Sequence, residues 1–324
     1  MVRNIILKIL LFPFSILYGI FSVLNALVYK LNIIIPIKFT VPVISIGNLT
    51  VGGTGKTPHV EYLVNLLKPY INLAILSRGY KRKTKGFREV LVSDNVKLSG
   101  DEPLLFKRKY NDISVFVSEN RIEGISQILM KKPDMQTIIL DDAFQHREIS
   151  PASNILLTEY DFPFFEDFYL PAGRLREWRS GYKRADIIIV TKCPMDLTEE
   201  DKIKFIDKLS LLETQKVFFS FYRYFNPYYL YDSTKRIELK ANTEVLLISA
   251  LASTSYLLSY LHSKTDNVHS MEFTDHHQFS FDEMEYFKNV FDGLKNKEKV
   301  ILTTEKDAMR LDLHRDFILK NKLP

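Results

Sequence analysis

The chain has 324 residues, 46% of them hydrophobic, and a formal net charge of +5. That length and apolar content bury a large core, as one large domain or two modest ones, and exclude disorder as the default state. The single cysteine, Cys193, excludes an intrachain disulfide and a cysteine-based zinc cluster and fits a reducing compartment.

The first forty residues are a different material from the rest. No residue from Ile9 to Tyr29 is charged, with Arg3 and Lys8 before the run and Lys30 after it. The run is long enough to cross a hydrocarbon core and too long for the apolar region of a cleavable signal. Pro13, Gly19 and Asn25 within it leave crossing, dipping in and lying along the interface all open, beside a buried helix hairpin in a soluble core.

Val41 to Ile46 then reads as a buried strand, followed by a glycine-rich turn and a helix over Pro58 to Leu67. Further strands are expected at Leu73–Leu76, Ser114–Val117, Thr137–Leu140, Asn154–Leu157 and Asp186–Val190, with helices at Arg121–Lys131 and Glu199–Leu212. Such alternation argues for a parallel, doubly wound sheet covered on both faces. Tyr and Phe crowd a possible strand around Phe219 to Phe225, inside a strand-rich linker. Alternation resumes with strands at Val245–Ser249, Asn267–Phe273 and Lys299–Thr303 and helices at Ser255–His262 and Phe281–Phe291. The expected organisation is a membrane-associated segment over 1–38, a core over 39–217, a linker over 218–241 and a smaller α/β domain over 242–324.

The segment Thr50-Val51-Gly52-Gly53-Thr54-Gly55-Lys56-Thr57 is a P-loop in the strand–loop–helix context that such a motif requires, with Thr50 where its first glycine usually stands. The glycines let backbone N–H groups approach phosphate oxygens, Lys56 reaches the outer phosphates, and the Thr57 hydroxyl suits Mg²⁺. The helix behind it adds a dipole that favours an anion. Asp141-Asp142, at the end of the strand Thr137–Leu140, reads as the second magnesium anchor. The core is therefore expected to be P-loop NTPase-like.

Other clusters carry two readings each. Arg78, Lys81, Arg82, Lys83, Lys85 and Arg88 form either a solvated loop or a contact for phosphates or an anionic bilayer; no aromatic and basic interleaving argues for nucleic acid. Gln145 and His146 follow the acidic pair as a polar loop or part of the site. Gly100-Asp101-Glu102-Pro103 reads as a sharp acidic turn, and Asp275-His276-His277 as an acidic and imidazole cluster; both are surface decoration unless the fold joins them as a catalytic dyad. A metal reading of the two histidines ranks below a hydrogen-bonding one. Leu170 to Glu177, with Arg174 and Arg176, is an anion-binding loop or a salt-bridge network. Thr191-Lys192-Cys193-Pro194 is similar to the guanine-reading loop of GTPases, but Pro194 takes the place of its Asp, so guanine specificity is not supported.

Together these residues resemble the tetraacyldisaccharide 4'-kinase family. The resemblance rests on the apolar N-terminus, Gly47-Asn48-Leu49 through the P-loop to Pro58, Leu76-Ser77-Arg78-Gly79-Tyr80, Gly100-Asp101-Glu102-Pro103, Asp141-Asp142-Ala143-Phe144-Gln145-His146, Leu170 to Glu177, Asp275-His276-His277 and Thr304-Glu305-Lys306-Asp307. It implies an ATP-dependent kinase that phosphorylates the 4'-hydroxyl of the tetraacyldisaccharide 1-phosphate precursor of lipid A and forms lipid IVA. By that resemblance residues 50–57 bind ATP, Lys56 and Thr57 serve ATP and Mg²⁺, and Asp141 and Asp142 are the metal-side acids. Asp101 is the base toward the sugar hydroxyl, helped by His276. Arg78, Glu102, Arg121, Gln145, Arg176 and Glu177 shape the phosphate or headgroup site. It further implies an inner-membrane location with the catalytic domain facing the cytoplasm, and no obligate protein partner. Two departures stand out: Ala143 where many relatives carry glycine, and a stop at Pro324 where the family usually continues into a further strand. Of the rival classes, a membrane-bound switch ATPase lacks its signature lysine, because Val51 stands there, and a nucleotide-free scaffold is at odds with an intact Lys56-Thr57 and Asp141.

Overall fold

The apolar N-terminal run forms one helix, α1 (Val2–Lys30), whose stretch Leu10–Lys30 is long and apolar enough to cross a membrane. The computed structural model describes residues 2–323, with side chains from Leu10 onward; the side chains of Arg3, Lys8 and Ile9, and Pro324, lie outside the described residues. From Leu10 to Lys30 the helix presents many exposed Leu, Ile, Phe and Val side chains, while Ser15 and Gly19, one turn apart, are buried. The Ser15 hydroxyl donates to the Tyr169 carbonyl at 3.0 Å and accepts from the Ala172 amide at 3.0 Å. A Cβ on Gly19 would meet the Tyr169 ring at 2.7 Å, so only glycine permits that approach.

Val, Ile and Leu runs supply the strands of a large sheet: β1 (Val43–Asn48), β2 (Leu73–Ser77), β3 (Arg88–Glu89), β4 (Ser114–Val117), β5 (Thr137–Asp141), β6 (Ser153–Glu159), β7 (Ile187–Thr191) and β8 (Lys216–Phe219). Their order is β3-β4-β2-β5-β1-β6-β7-β8, and every pairing is parallel except that of the short edge strand β3 with β4. All residues of β2 and β5 are buried, as expected where helices cover both faces. The helices α2 (Lys56–Leu67), α3 (Val96–Ser99), α4 (Asp101–Lys109), α5 (Arg121–Lys131) and α6 (Glu199–Leu209) occur among these strands in the chain. The alternation predicted from sequence is thus the architecture found, an α/β fold with a large, mostly parallel sheet and an apolar N-terminal helix.

The chain divides into two compact units. One comprises Met1–Gly79, Lys85–Val90 and Tyr110–Phe221, and carries α1 and the large sheet. The other comprises Tyr80–Thr84, Leu91–Lys109 and Tyr222–Pro324. Its own sheet places β11 (Glu244–Ser249) between β12 (Val268–Glu272) and β13 (Lys299–Thr303), all parallel, beside a small antiparallel pair, β9 (Tyr228–Tyr229) and β10 (Asp232–Arg236). Its helices are α3, α4, α7 (Ser255–His262), α8 (Phe281–Gly293), α9 (Glu305–Leu311) and α10 (Arg315–Lys320).

Two local readings change. The acidic segment at Asp101 is the first turn of α4, not a free turn. Gly100, at φ 89°, reverses the chain after α3, and Asp101, Glu102 and Pro103 then occupy the positions where helix starts favour acids and proline. The aromatic stretch is not one strand, because β8 ends at Phe219. Tyr224 stacks on Tyr260 of α7 at 4.9 Å, and Tyr222 meets Tyr256 edge-on at 6.2 Å, so ring packing takes the place of strand pairing.

Candidate active site

The P-loop joins β1 to α2. Gly55 caps α2 at φ 86° and Gly52 sits at φ 111°, conformations that side chains rarely adopt. Thr50, the departure from the glycine pattern, lies outside the left-handed region and bridges to Leu175 in an antiparallel contact. The flanking bonds run from the Val51 amide to the Arg174 carbonyl and from the Arg176 amide to the Leu49 carbonyl, both 2.8 Å. The loop at Leu170 to Glu177 is therefore stitched to the P-loop. It also meets α1, because the Tyr18 hydroxyl donates to the Arg176 carbonyl at 2.8 Å.

β5 delivers Asp141 beside β1, where Ile46 and Asp141 are register partners. Asp141 is buried and accepts from the Ser77 hydroxyl at 3.0 Å. Burial, and then the neighbouring Asp142, push its carboxyl up. Burial acts the same way on Asp142, but Lys56 and Arg176 outweigh it and hold that carboxyl down. Arg176 donates from one nitrogen to both Asp142 oxygens, at 3.1 and 3.2 Å, and Lys56 Nζ stands 3.7 Å from Asp142 Oδ1 and 3.4 Å from Asn48 Oδ1. Asp142 adopts φ 50°, so the left-handed residue is Asp142 and not Ala143 behind it, and alanine is unstrained at that position.

Gln145 Nε2 donates to the Asn48 carbonyl at 2.8 Å, and Glu177 is a buried carboxylate that binds Arg147 at 2.5 Å and Arg184 at 2.7 Å. Arg121 is 1% exposed, and its guanidinium donates to the carbonyls of Ser118 and Asp141. From there it fixes the end of β5 and does not face solvent. Arg78 is exposed. Lys192 is buried against Glu159 at 2.9 Å, and the Thr191 hydroxyl donates to the P-loop carbonyl of Thr54 at 3.0 Å. A cavity of about 300 Å³ lined by Tyr70, Asn72, Asp112 and Gln136 lies at the opposite, amino-terminal ends of the strands, away from the carboxyl ends where such sheets bind ligands.

The second unit carries the other cluster. His276 Nδ1 lies 2.8 Å from Asp101 Oδ2. Lys306, in the first turn of α9, contacts Glu102 at 2.8 Å, Asp275 at 3.5 Å and His276 Nε2 at 3.3 Å. Arg310, one turn further along α9 and 1% exposed, stands 3.6 Å from Asp101 and pairs with buried Asp307, which accepts from the Ala250 amide at the end of β11. Burial alone would raise Asp101, but hydrogen bonds with Glu102 and His276 and the charge on Lys306 hold it well below the usual carboxylate range. Burial, and then the contact with Asp101, push Glu102 well above that range. Donor atoms of Asp101, Glu102 and His276 lie within 4.8 Å of one another, and the Lys306 ammonium reaches this group at 2.8 Å from Glu102.

His276 sits at φ 58°, a left-handed conformation costing about 1 to 3 kcal/mol, which persists where surrounding contacts fix it. Here Lys81 donates to its carbonyl at 3.2 Å and the Tyr80 ring packs 4.8 Å from the imidazole. A cavity of about 10 Å³, room for a single water or hydroxyl, opens beside Asp101 and His276. His277 is directed elsewhere, to Glu283 at 2.9 Å. Sequence reasoning assigns no role to Lys306, Arg310, Asn48 or Ser77. Of these, Lys306, Asn48 and Ser77 lie in motif blocks that are conspicuous in the sequence.

A P-loop backed by an acidic pair on a parallel sheet defines a nucleotide-binding α/β protein of the P-loop class. A family profile for tetraacyldisaccharide-1-P 4'-kinase matches residues 7–321. The tetraacyldisaccharide 4'-kinases of Bacteroides thetaiotaomicron and Flavobacterium johnsoniae are each 42% identical to this chain, over 94% of it and 83% and 88% of their own lengths. The crystal structure of the kinase of that family from Aquifex aeolicus, in complex with ATP, superposes with a TM-score of 0.70 at 31% identity, covering 94% of this chain and 90% of the other. The chain belongs to the tetraacyldisaccharide-1-P 4'-kinase family, and it is a phosphotransferase.

Proposed function

We propose that the protein transfers the γ-phosphoryl group of ATP to the 4'-hydroxyl of the tetraacyldisaccharide 1-phosphate precursor, forming lipid IVA in lipid A biosynthesis. The observation that carries this reading is the P-loop lysine Lys56 facing Asp142 beside buried Asp141, in a chain of this family. Phosphoryl transfer asks for positioning and neutralisation of charge. Residues 50–57 cradle the phosphates, and Lys56 neutralises their outer oxygens.

The Thr57 hydroxyl and the Asp141 and Asp142 carboxylates offer the hard oxygen donors that Mg²⁺ takes, and two adjacent carboxylates, buried Asp141 pushed up by burial and then by half-buried Asp142, fit a divalent cation. They would hold the ion, and it would supply charge neutralisation at the phosphates. Arg176 steadies Asp142, and Gln145 and Glu177 brace the loop that carries Arg176. Arg121 sets the end of β5 from below, and exposed Arg78 offers a cation to an anionic headgroup. Asp101, ionised and hydrogen-bonded to His276 and Glu102, accepts the proton of the sugar hydroxyl.

The exposed apolar side chains of α1 support a location on the inner membrane, with the catalytic part facing the cytoplasm, where ATP is available. Deletion of residues 1–30 is expected to release the chain from membranes or lower its need for detergent; unchanged fractionation moves the attachment elsewhere, with the basic loop around Lys81 next in line. Purified protein incubated with γ-labelled ATP and the disaccharide precursor is expected to label the lipid. An unlabelled lipid fraction with intact precursor, from folded protein that binds ATP, overturns the reading.

A further inference from the structure

Lys306 reaches the acidic cluster from α9, and no role follows for it from the P-loop or from the Asp101 and His276 pair. A charged lysine is a donor only, with no lone pair to offer. Burial disfavours that charge, but Glu102, Asp101 and Asp275 together push the Lys306 ammonium up, so it stays protonated. The nitrogen that faces it at 3.3 Å, His276 Nε2, must then present its lone pair. The other ring nitrogen, Nδ1, faces the Asp101 carboxylate at 2.8 Å, which only accepts. Contacts from two helices, α4 and α9, therefore select the same neutral tautomer, with the proton on Nδ1.

We propose that Lys306 is a positioning residue of the phosphoryl-transfer reaction, held by Glu102 and donating to His276 Nε2 so that the imidazole keeps its proton on Nδ1 and aims it at Asp101. This rests on the reading of Asp101 as the base. It adds a statement of where the proton goes. With Nε2 capped by an ammonium and Nδ1 already protonated, the imidazole has no free lone pair. The proton leaving the sugar oxygen forms its new bond to an Asp101 oxygen and stops there, while His276 keeps its Nδ1 proton and donates. The charged or titratable groups around the ring are Asp101 and Glu102 on α4, Asp275 beside it, Lys306 on α9, and Lys81 and Tyr80 on the preceding loop. Arg310 acts one step removed, through Asp101.

The test uses the full chain in detergent or lipid. Nitrogen-15 NMR of the imidazoles, with His276 assigned by the loss of its signals in His276→Asn, reads the tautomer directly. The expected spectrum of the wild type shows a protonated Nδ1 and an unprotonated Nε2. Lys306→Met is expected to lower kcat by about 10-fold or more while changing the KM for ATP less than about twofold, and to release the fixed tautomer. Lys306→Gln, which keeps an N–H donor, is expected to recover part of both. A wild-type His276 protonated on Nε2, or a folded Lys306→Met with kcat within about twofold of wild type, overturns the proposal. Asp101→Asn run alongside separates the two readings. If it is inactive and Lys306→Met is not impaired, only the role of the lysine falls; if Asp101→Asn turns over normally, the assignment of the base falls.

Discussion

His276 Nδ1 and Asp101 Oδ2 are 2.8 Å apart although the two residues are separated by 175 positions in the chain. Neither residue is where an isolated dyad would be cheapest to build. Asp101 is 4% exposed at the first turn of a helix, and His276 holds a left-handed backbone. Desolvation of the carboxylate and backbone strain both oppose the arrangement, so the pair stands only because Lys306, Arg310, Glu102 and Lys81 surround it with compensating charge and hydrogen bonds.

Lys56→Ala is expected to abolish turnover and leave the fold intact. The side chain contacts Asn48 and Asp142 only at 3.4 and 3.7 Å, which is little stability to lose, whereas one ammonium at a transferring phosphoryl group is worth several kcal/mol, on the order of 3 or more. Turnover and thermal melting measured together check this. Near-normal turnover in a folded variant removes the P-loop assignment.

Gly19→Leu sets two effects against each other. Leucine in an exposed helix gains about 1 kcal/mol over glycine, but at this site the new Cβ would come within 2.7 Å of the Tyr169 ring, which is packed on Trp178 at 5.1 Å. Overpacking of that kind costs about 1 to 3 kcal/mol, so destabilisation wins. A lower melting temperature and a lower kcat are expected, the latter because the displaced loop carries Arg176, the partner of Asp142. An unchanged melting temperature contradicts the docking of α1 on that loop.

Cys193 gives a pH-dependent handle. Burial pushes its thiol up to about 11, against about 8.5 for a free thiol, so the folded state holds this proton more tightly than the unfolded chain. Its contribution to stability is fully present below about pH 8.5 and is lost as pH rises through about 11. Iodoacetamide at about pH 8 is expected to label the urea-unfolded chain quickly and the native protein slowly. Fast labelling of native protein contradicts the buried thiol.

Much of the fold was legible because the strands of the large sheet are apolar runs bounded by polar turns, a pattern that survives in one dimension. Ser114–Val117 and Arg121–Lys131 fall where that pattern puts them. The start of α4 is hidden in the sequence, because Gly100 breaks the periodicity between α3 and α4 and the acids and proline that open α4 also mark turns. At the site, the P-loop and Asp141 are local signals and were legible. The contact of Asp101 with His276 is only a possibility on spacing, which cannot report proximity across 175 positions, and the family resemblance alone implies it. Lys306 was visible as part of a motif block but not as a neighbour of His276, for the same reason: α9 meets α4 only in three dimensions.

The most direct measurement of the central claim is a double-mutant cycle on kcat for Asp101→Asn, His276→Ala and the pair, with the tetraacyldisaccharide 1-phosphate as acceptor. Asp101→Asn keeps the side-chain volume and removes the base, so kcat is predicted to fall by roughly 10² or more with little change in ATP affinity. If the two residues act as a unit, the double variant loses far less than the product of the single losses. Independent, multiplicative losses would contradict a joint role of Asp101 and His276 in taking the proton of the sugar hydroxyl.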